Sequence, residues 1–322
     1  MLVYTNASGW YPDDINSKLD FNQFSSDPSE QEKEILFVGH GSFSDKKLVE
    51  FCVNDTHHRK VYVNLEHPCS LYDEVAERGI AQQLIFDEVY TICPYSAAWF
   101  NTIQDDTKFF AMPYPHNLKY DIYHGKNIEK IYDVAYNGII HSQEIASFIK
   151  AIANHKHFFS TITKWNRLHD VDKYATHDNI PNIEKWNLLS KSKMAVIHNN
   201  LHIHPHQVNF IKSNPKWQNN EAFSDVDRLV LPQLKSRTVE SAICKSLMLV
   251  KSDDWNVMEH WFEPDKDFIY FDDASDLNDK ISEIKKDWDS YSHIPENAYK
   301  KVIEKYNTKY IFDKIKNGEE IE

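Results

Sequence analysis

Glycine is scarce in this chain: 7 residues in 322, about 2% where about 7% is usual. The shortage excludes several readings. There is no GxxxxGK[ST] phosphate loop and no complete GxGxxG fingerprint. The nearest approach is Gly39-His40-Gly41-Ser42-Phe43-Ser44, with serine in place of the third glycine. Long apolar runs are missing too. No stretch of 18 apolar residues occurs, so no membrane span is expected. The opening MLVYTNASGW lacks a basic then apolar leader, so no secretory signal is expected. Cysteines number four (Cys52, Cys69, Cys93, Cys244) and make no CxxC pair. Buried reduced thiols in a cytoplasmic protein are the expected account. Basic residues are outnumbered, 36 against 49 acidic, for a net charge of −13. A chain this acidic, without a basic stripe, is a poor nucleic-acid binder.

What is present is α/β material. Hydrophobic residues make up 41%, with 18 Phe, 17 Tyr and 8 Trp, and the length favours two domains over one core. Residues 35–39 (ILFVG), 60–65 (KVYVNL), 88–92 and 109–112 read as buried parallel strands. Helices are expected at 45–54, around 80–84 and after Pro94. Residues 120–131 are charged and aperiodic and read as a connection. The alternation then resumes: strands at 132–140, 158–161, 194–198, 247–250 and 268–271, with helices at 141–154, 183–190, 274–286 and 296–315. Such strand–helix alternation predicts doubly wound α/β domains.

The stretch Leu231 to Val250, LPQLKSRTVESAICKSLMLV, carries the sharpest chemical signal. Lys235, Ser236 and Arg237 form a short cationic loop ahead of a helix, and Glu240 lies near its start. Backbone N–H groups and the Arg237 guanidinium suit a pyrophosphate; the Glu240 carboxylate suits the two hydroxyls of a ribose. The plain alternative is a helix capped by Ser236 or Thr238, with Glu240 favoured by the dipole in the first turn.

In its second half the chain resembles the donor-binding domain of GT-B glycosyltransferases of the group 1 type. The matching pieces are Asp133-Val134-Ala135-Tyr136-Asn137-Gly138, Leu188 to Met194, Lys235 to Ala242, and Phe268 to Leu277. The resemblance covers roughly residues 130 to 285 and implies two Rossmann-like domains facing across a cleft. By similarity, Lys235 and Arg237 contact the donor diphosphate, Ser236 and Thr238 belong to the same loop, and Glu240 holds the ribose. Gly138 lets a phosphate or sugar approach the backbone. Two departures stand out. Ile243-Cys244-Lys245-Ser246 replaces the glycine that usually follows the ribose Glu, and Pro232 stands where a Glu-x7-Glu pattern would have its first carboxylate. The pattern therefore does not choose between retention and inversion. Glu66-His67-Pro68 faintly resembles the Glu-Ser-Pro of α1,3-fucosyltransferases.

These pieces predict an acceptor domain over 1–125, a donor domain over 126–295 and a C-terminal helix over 296–322 packing back towards the first domain. The implied activity is a hexosyltransferase-like transfer from a UDP- or GDP-sugar to a glycan, lipid-linked or other hydroxyl acceptor, with no metal or other cofactor. Glu66, or His67 beside it, is the expected base, since an inverting transfer must deprotonate the attacking hydroxyl. The plain alternative is a Glu capping the turn that Pro68 fixes. His198, His202, His204 and His206 could suggest zinc, but no Cys or carboxylate accompanies them and Pro205 interrupts the strand. One of them, His198, is expected near the phosphates. Gly39, His40 and Gly41 are expected to line the acceptor side. Read instead as a dinucleotide loop, they suggest a nicotinamide-dependent oxidoreductase. A non-catalytic glycan-binding module on the same shell is the third possibility. Trp99, Phe100, Trp255, Trp261 and Trp288 could stack on sugars, though aromatics at helical spacing more often form core.

Overall fold

Ile35, Leu36, Phe37 and Val38 are all fully buried, as consecutive apolar residues must be in a parallel strand covered on both faces. They lie in β3 (Glu34–Gly39), inside the first of two six-stranded sheets. The computed structural model describes residues 2–5, 18–19, 33–39, 46–65, 84–121, 123, 126–203 and 229–321. The first sheet runs β2 (Lys18–Leu19), β1 (Leu2–Thr5), β3, β4 (Arg59–Asn64), β5 (Glu88–Thr91), β6 (Lys108–Ala111), all pairs parallel. Helix α1 (Lys46–Asn54) sends Leu48 and Cys52 into its core, and α2 (Pro94–Ile103) sends Ala97 and Phe100. Pro94 opens α2 where a missing N–H costs nothing, and Cys93 Sγ accepts from the Ser96 N–H. Gly39 ends β3, the strand at which the order departs from the β2-β1 pair.

The second sheet is also parallel throughout. Its order is β14 (Phe268–Phe271), β13 (Leu247–Lys251), β10 (Ser192–Ile197), β7 (Tyr132–Asn137), β8 (His157–Thr161), β9 (His177–Asp178). A separate two-stranded ribbon joins β11 (Asn200–Ile203) to β12 (Leu229–Pro232). Helix α3 (Gln143–Ile152) shows why this half folds as its sequence suggests. Ser142 caps it by accepting from the Ile145 N–H, Glu144 sits in its first turn and Lys150 in its last. Its stripe of Ile145, Ala146, Phe148, Ile149 and Ile152 is buried. α4 (Asn182–Leu189) and α5 (Ser236–Ile243) precede β10 and β13, and α6 (Ala274–Lys286), α7 (Trp288–Tyr291) and α8 (His293–Lys305) follow β14. α3 packs on α6, and α5 on α8.

By their contacts, the described residues through Asn117 group with those from Asn307 onward, and 118–202 with 229–306. Among the described residues, 118–121, 123 and 296–306 thus group with the second unit. The expected helix over 296–315 is two helices. α8 stops at Lys305, and Asn307 starts α9 (Thr308–Asn317) by accepting from the Tyr310 N–H. α9 belongs to the first unit, where Arg59 of β4 donates to the carbonyls of Ile315 and Lys316. Cys52, Cys93 and Cys244 are buried and unbridged. No helix among the described residues is long and apolar enough to cross a membrane.

Candidate active site

The chain builds outward from β7 through β8 to β9, then returns to the other side of β7 to place β10, β13 and β14. Strand order therefore reverses between β7 and β10. In doubly wound sheets ligands bind outside the carboxyl ends of the strands at such a switch point, because the crossovers diverge there and leave a crevice. Gly138 directly follows β7, and His198 directly follows β10.

Arg237 joins these two strand ends. Its Nη1 lies 3.0 Å from His198 Nε2 and 3.3 Å from the Tyr136 hydroxyl, and the same hydroxyl is 2.9 Å from His198 Nε2. A guanidinium only donates, so Nε2 accepts, which places the neutral ring's proton on Nδ1. Tyr136 is fully buried and burial raises its hydroxyl pKa, so it stays protonated. The guanidinium also lies over the Tyr136 ring, 5.6 Å from its centroid. Gly138 makes room for it. A Cβ there would stand 2.7 Å from Arg237 Nη2 and 2.9 Å from Nη1, and the Gly138 φ of +154° disfavours any other residue. The loop itself is tied down: Gly138 N–H donates to Ser160 O and Ile140 N–H to Asn166 Oδ1.

Helix α5 begins beside this cluster. Lys235 is its N-cap, with extended backbone and no capping side chain among the described residues. Thr238 N–H donates to Lys235 O, so the Ser236 and Arg237 N–H groups and the positive end of the helix dipole are the parts of this terminus that suit an anion. The expected caps, Ser236 and Thr238, do not serve. Ser236 is the first helical residue, and Thr238 is fully buried with Oγ1 3.8 Å from Met258 Sδ. The Thr238 hydroxyl thus faces the interior. Lys235 Nζ donates to Gln233 Oε1.

Glu240 lies in the second turn, past the reach of the helix dipole. It is 7% exposed, and its Oε1 accepts from Lys185 Nζ at 2.9 Å. A carboxylate so withdrawn from water costs several kcal/mol unless paired, and Lys185, on α4, is its partner. Lys185 and Tyr136 escape a reading of the sequence because their contacts are made 55 and 101 residues away. Their only local signal is position, Tyr136 near the end of a buried strand. Glu66, His67, His40, Gly41, His204, His206 and the expected helix start at 80–83 lie outside the described residues, as do the side chains of His202 and Trp99. Among the described residues no cluster of three His, Cys, Asp or Glu could hold a metal. Phe100, Trp255 and Trp261 are core residues.

A family model described as glycosyl transferase-like matches residues 143–317, more than half of the chain and all of α5. No curated protein matches by sequence. Solved structures do. Sucrose-phosphate synthase from Thermosynechococcus elongatus aligns with a TM-score of 0.56 at 11% identity, over 88% of this chain and 72% of that one. HepE from Anabaena, in complex with UDP and glucose, aligns at 0.56 and 11%, over 90% and 78%. A TarM variant from S. aureus, in complex with fondaparinux, alpha-GlcNAc-glycerol and UDP, aligns at 0.57 and 11% over 90% of this chain, which spans little more than half (56%) of TarM. The two-sheet α/β architecture is shared with these GT-B proteins.

Proposed function

The chain belongs to the glycosyl transferase-like family, and on that premise we propose that it transfers a sugar from a nucleoside-diphosphate donor to a hydroxyl of a glycan, lipid-linked or similar acceptor. The single observation that carries the donor assignment is Arg237 lodged against Gly138 at the switch point, beside a helix terminus with no side-chain cap among the described residues. In that reaction the acceptor oxygen bonds to the anomeric carbon while the bond from that carbon to the diphosphate breaks, and the departing diphosphate gains negative charge. Arg237 and the first N–H groups of α5 stand ready for that charge before it develops, which is the most effective arrangement for stabilising it. Lys235 adds a second cation. These groups supply the positive charge that a metal would otherwise bring, so transfer proceeds without one. Glu240 Oε2 takes the ribose hydroxyls. His198 orients the guanidinium through Nε2. Glu66, or His67 beside it, removes the acceptor proton, with Gly39, His40 and Gly41 on the acceptor side. HepE and TarM were crystallised with UDP, which makes uridine the first base to test. The family match sets aside a nicotinamide-dependent oxidoreductase. We place the reaction in the cytoplasm.

A thermal-shift screen of UDP, GDP and ADP in EDTA tests this. One of them is expected to raise the Tm; Arg237→Ala shrinks the rise and Glu240→Ala removes it. Hydrolysis of the matching sugar donor then separates a transferase from a glycan-binding module. No rise with any of the three contradicts the donor assignment.

A further inference from the structure

The second unit has a cavity of about 650 Å³ at the opposite end of its sheet. Lys130, which precedes β7, and Lys245, which precedes β13, both line it. The donor cluster stands at the carboxyl ends of β7 and β10 and at the start of α5, whereas Lys245 follows the end of α5. Eight helical residues span about 12 Å, so the cavity is separate from that cluster.

Its floor is fixed. Four acceptors surround Lys130 Nζ at 2.8 to 3.2 Å and share its hydrogens: the carbonyls of Ser190, Cys244 and Lys245 and the Tyr123 hydroxyl. The Tyr123 hydroxyl itself donates to Ser190 O, and that of Tyr299 to Asp121 Oδ2. The Lys245 ammonium lies 5.0 Å from the Tyr123 ring centroid and 4.4 Å from that of Tyr299, and pairs with Glu296 at 2.9 Å. Lys245 is in the left-handed region, with φ of +47°. A non-glycine residue there carries backbone strain of about 1 kcal/mol or more and persists only where its surroundings hold it. Here the side chain that a glycine would lack is the one lining the cavity. Lys126 adds a second ammonium to that of Lys245, so among the described lining residues cations outnumber the one carboxylate, Glu296, even with the Lys130 proton discounted, against a net charge of −13 for the chain. Trp288 supplies a half-buried aromatic face, and Asn127 and Ser292 supply uncharged hydrogen-bonding groups.

We propose that this cavity is a second saccharide site, taking a sugar that carries a carboxylate or a phosphate. The C–H face of the ring rests on Trp288, as apolar ring faces do on aromatic side chains. Lys126 and Lys245 meet the anion, and Glu296, Asn127 and Ser292 take the hydroxyls. The volume falls within the range of small-molecule sites. A charged glycan held here would stay attached to the donor unit between transfers. The site does not depend on the donor assignment.

Saturation-transfer NMR on the full chain tests it, with D-glucuronate, D-glucose 6-phosphate, D-glucose and inorganic phosphate as probes. At least one of the two charged sugars is expected to bind, with glucose and inorganic phosphate each about tenfold weaker; which charged sugar binds separates a carboxylate from a phosphate site. Lys126→Glu, an exposed substitution with no bearing on the core, lowers that affinity about tenfold, and Trp288→Ala lowers it further. Arg237→Ala and saturating UDP leave it unchanged, even if the donor assignment itself fails. Absence of binding, equal binding of glucose or of inorganic phosphate, displacement by UDP, or indifference to Lys126→Glu each overturns the proposal.

Discussion

Gly138 and Arg237 are distant in sequence, and the room the glycine leaves is filled by the guanidinium. The glycine holds a φ of +154° with the guanidinium where its Cβ would be. Gly138→Ala must displace Arg237 as well as strain the backbone, so it is expected to weaken UDP binding about tenfold, roughly 1.4 kcal/mol, measured by calorimetry. The Lys185–Glu240 pair poses a different question, since Glu240 is asked both to satisfy a buried lysine and to receive a ribose. Lys185→Met strands a carboxylate and should cost about 3 kcal/mol or more in urea unfolding. Lys185→Met combined with Glu240→Leu should recover most of that stability while leaving no UDP response, which separates the structural role from the binding one. At this scale the sequence was legible where chemistry is local. Arg237 and Glu240 stand out because a cationic loop, a helix start and an apolar strand are consecutive. Lys185 did not, because a lysine on a short polar helix looks like surface until its partner is known.

Helix α5 shows how an element departs from its expected ending without failing. The left-handed Lys245 completes a Schellman closure, its N–H donating to Ala242 O and the Ser246 N–H to Ser241 O. Glycine is the usual residue there, so Lys245→Gly relieves strain while losing the Glu296 and tyrosine contacts. Unfolding stability is expected to change by less than about 1 kcal/mol. Lys130 binds the carbonyls just beyond the helix from below. Burial pulls its ammonium from 10.5 down to about 7. Between those values the unfolded chain keeps a proton that the folded chain has shed, so unfolding free energy rises with pH across that window. Urea unfolding at pH 7 and about pH 9 should show this gain in the wild type and not in Lys130→Met. Long buried strands such as β3, β4 and β13 were plain from their apolar runs. The two-residue strands β2 and β9 were not, because so short an edge carries no periodicity. The stop at Asn307 was hidden because no glycine or proline marks it; a side-chain cap does.

Across the whole chain, the last helix returns to the first unit. Arg59 is the fastening: besides the α9 carbonyls it holds Glu88 at 2.6 Å and Glu34 at 3.1 Å. Arg59→Met leaves two carboxylates and a helix end without their cation, and should lower the Tm by several degrees while the UDP-dependent rise persists, because the donor residues belong to the other unit. The α/β class and the parallel order were readable from strand–helix alternation. That the chain crosses back at Asn307 was not, since it rests on the Arg59 contacts with residues more than 250 positions away. The most direct test of the account is a crystal structure with UDP bound. It should place the diphosphate within hydrogen-bonding distance of Arg237 and the first N–H groups of α5, with the ribose hydroxyls on Glu240. UDP seated elsewhere, or Arg237 still closed on His198 with no nucleotide beside it at saturating UDP, would contradict it.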